Sequence, residues 1–354
     1  MKKKFILGEL FCGPGGIAQG AMNAVSDDGE LSIEHGWAND FDPDSCKTYS
    51  ANIFGRETNQ VICKDVRELD IEQLPKITAF AYGFPCNSFS GVGKQQGFEN
   101  EKFGMLYKYG VNVLKHFQPD WFMAENVSGI RSAGKGSNFQ TILDDLEKCG
   151  YHLVTHLYKF EDYGIPQARH RIIIIGIRND YYADGIEYKV PSPDPYKNID
   201  NSSKTALAGI PQNAPNQEKR KLKETVIRRL SYIKPGQNVW QAENLPEDLR
   251  IKTRTKISQI YRKLDPEKPA YTVTASGGGG TYMYHWSDEN RELTNRERAR
   301  LQTFPDDYEF FGNYSSVRKQ IGMAVPPEGA RIILTAVLNS FAGIEYESIP
   351  ASLK

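Results

Sequence analysis

A cysteine stands directly behind a proline in GFPCNSFS (83–90), where the apolar run ITAFAY gives way to the glycine-rich GVGKQQGF. Pro85 fixes its own φ and restricts Phe84 before it, so the backbone is anchored while the Cys86 sulfur can face outward. Attack by sulfur requires the thiolate, and nearby positive charge or backbone dipoles would favour it. The competing reading of any single cysteine is a buried, inert thiol. Glu125 lies near the end of the very apolar WFMAENV. A carboxylate buried there is costly to ionise and so suits proton transfer, unless it is only a structural acid held by loop amides. Arg169 and Arg171, in PQARHR, fall on one side of an extended segment. They suit a carboxylate, a phosphate or a base carbonyl, although two arginines can equally be a plain surface pair.

A second constellation lies near the N-terminus. FILGEL runs into FCGPGGIAQG, with glycines at 13, 15 and 16. Strand, glycine turn and helix form a nucleotide-site arrangement, because glycines permit a tight turn and close approach of backbone N–H groups. Asp40, ending the next apolar segment, can accept both hydroxyls of a ribose, and Phe41 can stack on a purine. Asp65, after VIC, can accept from an exocyclic amine. Each has a plain alternative as loop cap or core aromatic. CGPGG departs from the GxGxxG dinucleotide pattern, which favours a different adenosine ligand.

The elements that must position these residues alternate. Strand candidates at 5–10, 31–39, 61–63, 77–82 and 121–126 are joined in part by periodic segments, including 104–117. A helix is expected over 138–148, then strands HLVTHLYKF and RIIIIGIR, the latter apolar enough to be buried on both faces. This βαβ-like order predicts an α/β protein with a mostly parallel sheet. Residues 181–220 are rich in Pro, Asn, Ser and Tyr. Residues 201–262 carry 13 Lys or Arg against 5 Asp or Glu, a basic region hidden by the whole chain's balance of 44 against 44. Four glycines at 277–280 mark a loop or a close backbone approach. ELTNRERARLQTF reads as a helix capped by Thr294 or Asn295, and 328–342 as an apolar C-terminal helix.

The bulk numbers exclude little beyond extremes. At 354 residues, 39% hydrophobic and 25% charged, the chain fits one large domain plus a smaller one. Apolar runs are shorter than the ~20 residues of a membrane span, and MKKKFILGEL reads as a first strand rather than a leader. Cysteines 12, 46, 63, 86 and 149 form no CxxC pair, which favours reduced thiols over a disulfide framework or a zinc site.

Six motifs now occur in order: LFCGPGG (10–16), GFPCNSFS (83–90), ENV (125–127), YGIPQARHR (163–171), RELTNRERARLQTFP (291–305) and QIGMAVPP (320–327). From about Phe5 to Val337 the chain resembles a DNA cytosine-5 methyltransferase of the bacterial restriction–modification type. The resemblance implies an S-adenosylmethionine-dependent methyltransferase (Rossmann-like) fold, a doubly wound sheet with one antiparallel strand and a smaller target-recognition domain. It places the catalytic and cofactor domain at 1–180, target recognition at 181–285, and the return to the catalytic domain at 286–354. For S-adenosylmethionine it implies Phe11, Gly13, Gly15, Gly16, Asp40 and Phe41, with Asp65, Val66, Met323 and Ala324. Cys86, Glu125, Arg169 and Arg171 fall on catalytic positions. Phe84, Pro85, Asn87 and Ser90, with Thr272 and Thr274, fall on the side of the DNA substrate.

The implied mechanism answers a chemical difficulty, since C5 of cytosine is a poor nucleophile. Attack of Cys86 on C6, with Glu125 serving N3, makes C5 electron-rich, and the base must leave the duplex to be reached. The expected partners are double-stranded DNA and, functionally, a cognate restriction endonuclease, with a cytoplasmic monomer and no membrane. Two residues depart from the family pattern: Asn87, where glutamine is usual, and Met323, where asparagine is usual. The RNA-methylating branch carries a Cys-Phe-Thr element, and here Cys86 is followed by Asn87 and Ser88.

Overall fold

The computed structural model describes residues 3–56, 58–84, 105–131, 137–252 and 256–353. Its first half alternates β1 (Lys3–Leu10), α1 (Gly16–Asn23), β2 (Leu31–Asp40), α2 (Pro43–Ile53), β3 (Val61–Cys63) and β4 (Ala79–Tyr82). Then follow α3 (Tyr107–Phe117), β5 (Trp121–Val127), α4 (Ser137–Glu147) and β6 (Tyr151–Lys159). The short β7 (Gln167–Ala168) leads into β8 (His170–Arg178), α5 (Asn179–Ala183) and β9 (Val190–Pro191). After these come α6 (Ser203–Leu207), α7 (Glu224–Leu230), β10 (Ala270–Tyr271), α8 (Asn295–Leu301) and α9 (Tyr314–Met323). The chain ends with α10 (Pro327–Ala342) and β11 (Ser348–Ile349).

Two compact units divide these elements. The larger comprises 1–160, 170–195 and 325–354; the smaller comprises 161–169 and 196–324. These divisions differ from the segments expected at 181 and 286. Residues 286–324 join the smaller unit because α8 is built into it. Its Arg296, fully buried, donates to the carbonyls of Pro215 (3.0 Å) and Pro305 (2.7 Å).

In the larger unit, seven strands form one sheet in the order β3-β2-β1-β4-β5-β8-β6. Strands β1 to β5 are parallel, and β8 runs antiparallel to both β5 and β6. The chain first moves outward from β1 to β3 and then restarts on the other side at β4. The carboxyl ends of β1 and β4 are therefore the switch point where open α/β sheets bind ligands. The apolar run 172–177 is buried at every residue, as a strand covered on both faces requires. Gly176 admits Phe122 so closely that a Cβ there would lie 2.1 Å from the ring.

Helix starts follow local chemistry. Asp42 caps α2 by accepting from the Asp44 and Ser45 amides, and Pro43 occupies the first turn. Thr294 and Glu297 form a capping box at α8, with the Glu297 amide donating to Thr294 Oγ1 at 3.1 Å. The apolar stretch 314–342 is long enough to span a bilayer by composition, but 78% of its most apolar window is buried inside the protein. Ala324 interrupts it with extended backbone (φ −64, ψ 151), so it comprises two core helices.

Helix α10 packs on α1 through Gly20. A Cβ at this position would lie 2.4 Å from the Pro327 carbonyl and 2.6 Å from Ala330 Cβ. Backbone cannot yield as a flexible side chain does, so Gly20→Ala is expected to cost about 1–3 kcal/mol. Urea unfolding measures this, and an unchanged midpoint would contradict so close a helix contact.

The smaller unit is largely irregular. Its core gathers Leu230, Ile233, Val239, Ile260 and Tyr284, and β7 pairs with β10 in parallel. Several basic residues of 201–262 are engaged in exposed ion pairs, including Lys204–Glu267 (2.9 Å), Arg228–Asp248 (3.2 Å) and Lys234–Glu243 (3.1 Å). Such pairs contribute little stability, but they reduce the free positive charge on this surface.

Candidate active site

The carboxyl edge of the larger unit's sheet carries the first group of functional residues. After β1 the chain turns through Phe11 (φ 54), Gly13 (φ 53) and Gly15 (φ 92), left-handed conformations that glycine adopts without strain. Gly15 caps α1, and Gly16 begins it. The Gly13 amide donates to Asp40 Oδ2 and the Asp42 amide to Asp40 Oδ1, both at 2.9 Å. Burial raises the Asp40 carboxyl above its usual range, and these two amides oppose the rise. The Asp40 carboxylate is thus held in place by backbone amides of the turn and of its own loop. The adjacent Phe41 is 61% exposed, unusual for a large aromatic in a well-packed unit.

Asp65 takes the loop-cap position that its sequence allowed beside the acceptor reading. It caps the turn at Val66–Glu68, and its Oδ1 accepts from the Arg67 backbone amide (3.0 Å) and from Arg67 Nε (2.8 Å). Val66 is buried beside it. Glu9, absent from the expected site, lies within β1 and is 1% exposed. Burial pushes its carboxyl up to about 8, opposed by the Tyr49 hydroxyl that donates to it at 3.0 Å. The only signal for Glu9 was an acid inside an apolar strand.

Glu125 and Arg171 meet across neighbouring strands β5 and β8. Arg171 Nε lies 2.8 Å from Glu125 Oε1, with both side chains largely buried. The apolar composition of β5 thus does not describe the carboxylate's surroundings, because the antiparallel neighbour supplies a guanidinium. Arg171 Nη1 also donates to the His170 carbonyl at 2.7 Å. Gly83, just past β4, lies against the same carboxylate: a Cβ there would be 3.2 Å from Glu125 Oε2. Asn126, the middle residue of ENV, joins the two strand ends by donating from Nδ2 to the Phe84 carbonyl (3.2 Å). Phe84 itself is buried against Tyr82 and Tyr107. Gly83 and Asn126 were absent from the expected site, although both lie within quoted motifs. Pro85, Cys86, Asn87 and Ser90 lie outside the described residues.

The remaining expected residues belong to the smaller unit. Arg169 is fully buried and donates from Nη1 to the Val273 carbonyl (3.2 Å) and from Nη2 to the Gly322 carbonyl (3.1 Å). The two arginines of PQARHR therefore take different partners. Thr272 donates to the Ala168 carbonyl (2.6 Å) and Thr274 to the Ser276 carbonyl (2.9 Å). Both hydroxyl protons are used inside the unit, leaving the oxygens as acceptors. Met323, at the end of α9, is 50% exposed, while Ala324 is buried and its carbonyl accepts from Gln302 Nε2 (3.3 Å).

Residues 5–339 match the family described as C-5 cytosine-specific DNA methylase. Type II methyltransferase M.BbvI of Brevibacillus brevis is 53% identical, over 98% of this chain and 94% of its own length. Type II methyltransferase M.NgoFVII of Neisseria gonorrhoeae is 36% identical, over 96% and 88% respectively. Among solved structures, a putative DNA modification methyltransferase encoded within an Escherichia coli prophage superposes with a TM-score of 0.71 at 22% identity. That superposition covers 96% of this chain and 99% of the other. The S. pombe Dnmt2 methyltransferase gives 0.59 at 16% identity, covering 97% and 100%. These two structures support the fold.

Proposed function

The chain belongs to the C-5 cytosine-specific DNA methylase family and is a DNA (cytosine-5-)-methyltransferase; we propose that it methylates a flipped-out cytosine through a covalent bond from Cys86. The observation that carries this reading is the Glu125–Arg171 pair at 2.8 Å beside Gly83, three residues ahead of that cysteine. In the proposed step the Cys86 thiolate forms a bond to C6, and the C5–C6 π electrons move onto C5. Glu125 serves N3 as charge develops there, and Arg171 fixes the orientation of Glu125. S-adenosylmethionine, when bound, supplies the methyl group that the activated C5 accepts. Loss of the C5 proton and departure of the thiolate then restore the ring double bond. Because the target carbon is inaccessible in a stacked duplex, the base leaves the helix first.

The glycine turn of the larger unit fits the cofactor. The space that a Gly13 Cβ would enter has no atom within 4 Å, Asp40 presents acceptors, and Phe41 presents an exposed ring. The proposed contacts are ribose hydroxyls on Asp40 and the purine on Phe41, with Phe11, Gly15, Gly16, Asp65 and Val66 completing this side. Met323 and Ala324 are proposed to complete the cofactor's surroundings. Asp40→Ala is expected to weaken S-adenosylmethionine binding roughly 10- to 100-fold, the scale of hydrogen bonds to a charged group. Calorimetric titration reads this directly, and an unchanged affinity would remove Asp40 from the cofactor site.

The family relationship further supports a bacterial, cytoplasmic modification enzyme acting as a monomer, protecting DNA from a cognate endonuclease. The smaller unit, with Thr272 and Thr274, is proposed to contribute target recognition, and Arg169 to brace its loops. The reading as a whole is tested by incubation with labelled S-adenosylmethionine and mixed-sequence unmethylated duplexes, followed by conversion sequencing. Label should enter cytosine at one sequence context. Absence of transfer across diverse duplexes would refute the reading, and preferential transfer to tRNA would move the enzyme to the RNA branch.

A further inference from the structure

An unusual charge cluster lies within the smaller unit, beneath the glycine loop 277–280. Arg298 and Glu292 are 1% and 3% exposed, and Arg318 is 8% exposed. The pairs are loose: Arg298 Nη2 lies 3.6 Å from Glu292 Oε2, and Arg220 Nη1 lies 3.5 Å from Glu292 Oε1. Among the described residues, neither Glu292 oxygen has a hydrogen-bond partner, and nor do Arg298 Nη2, Arg318 Nε or Arg318 Nη1. Three guanidiniums thus surround one carboxylate, an excess of positive charge that burial makes costly.

The loop above the cluster covers it and leaves Arg220 open at its edge. Arg220 and Arg318 flank Tyr282, with guanidinium carbons 4.9 and 4.8 Å from the ring centre. Gly277 lies directly on that ring. A Cβ there would be 2.6 Å from Tyr282 Cδ1 and 3.5 Å from Arg318 Nη1, so any other residue would force the loop away. Gly278 and Gly279 are exposed, and a Cβ on either would meet nothing within 4 Å. The Arg220 side chain is 44% exposed and forms the solvent-facing edge of the cluster.

We propose that Arg220 and Arg318, with Tyr282 between them, take a phosphate of the DNA backbone beside the glycine loop. Guanidinium forks match phosphate oxygens, and bare glycine backbone allows a strand to approach closely. The exposed Arg220 makes the first contact, and closure of the loop brings in Arg318. Glu292 keeps the arginines together in the free protein without neutralising them. The site positions the duplex without reading its sequence. The inference rests on DNA as the substrate, but it concerns residues outside the reacting centre.

The test uses the full-length enzyme and an unmethylated mixed-sequence duplex, with affinity measured as a function of salt. Arg220→Gln, at a half-exposed position, should lower the slope of log K against log salt by about 0.9, the share of one phosphate contact. At 0.15 M salt this corresponds to roughly five-fold weaker binding, equal for target-containing and target-free duplexes. Arg220→Lys should restore most of the slope, and Glu292→Gln should tighten binding. An unchanged slope in Arg220→Gln, or a loss confined to one base sequence, would overturn the proposal. Wild-type methyl transfer is measured in parallel. Its failure would refute the enzyme's assigned reaction, whereas transfer combined with an unaltered slope would reject this phosphate site alone.

Discussion

Cys86→Ala is expected to abolish methyl transfer to DNA while leaving S-adenosylmethionine affinity unchanged. Cytosine C5 becomes nucleophilic only while sulfur is bonded to C6, and alanine removes that bond rather than weakening it. Three of the other four thiols are poor substitutes, while Cys63 is exposed at the end of β3. Cys12, Cys46 and Cys149 are buried, and burial is the largest influence raising each above the ordinary thiol range, so their thiolates are disfavoured. The proposed cofactor contacts at Gly13, Asp40 and Phe41 lie on other loops and retain their geometry. Single-turnover assays with labelled cofactor measure the loss. A duplex carrying 5-fluorocytosine supplies a second readout, because fluorine cannot depart as the C5 proton does. Wild-type enzyme should remain covalently attached to that duplex, and the alanine variant should not. Substantial residual turnover would exclude Cys86 as the nucleophile.

Glu125→Gln is expected to lower kcat by about 10²–10⁴-fold, the usual contribution of a positioned acid or base. The KM for DNA should change little. Glutamine keeps the side chain's length, and its carbonyl can still accept from Arg171, now 2.8 Å from the carboxylate. What it loses is the ability to pass a proton, the role proposed for Glu125 at N3. The retained contact with Arg171 is expected to hold the amide in nearly the same place. The loss therefore reports on proton transfer rather than on misplacement. A decrease of less than ten-fold, or a loss expressed mainly in KM, would assign Glu125 to binding instead.

The sheet was legible because its strands are short apolar runs bounded by abrupt polar residues. RIIIIGIR needed burial on both faces, and residues 172–177 of β8 are buried in succession. The resemblance implied one antiparallel strand without saying which, because direction leaves no mark on an apolar strand; it is β8. Asp40 was legible from its place after an apolar run. Asp65 was legible as a position, but its local ion pair with Arg67 depends on a turn that composition does not specify. Arg169 and Arg171 illustrate the clearest limit. Two residues apart and alike in charge, they are separated by chain path: one pairs with Glu125 and the other with carbonyls brought in from 273 and 322. Gly83 and Asn126 escaped notice because close approach to a carboxylate, or a clamp between strand ends, becomes visible only when the strands are adjacent.

The chain enters the smaller unit twice, first for the nine residues 161–169 and again for 196–324. The first visit is brief but deeply committed. It supplies β7 to pair with β10, Gln167 to donate to Gln302 Oε1 (2.9 Å), and Arg169 to the Val273 and Gly322 carbonyls. Modularity in this enzyme is consequently split. A graft exchanging only 196–324 with a relative inherits foreign partners for a resident strand, and its hydrogen bonds must be rematched one by one. Recombination that carries both pieces preserves the interlock, which makes the short segment a hidden part of any transferable version of this unit.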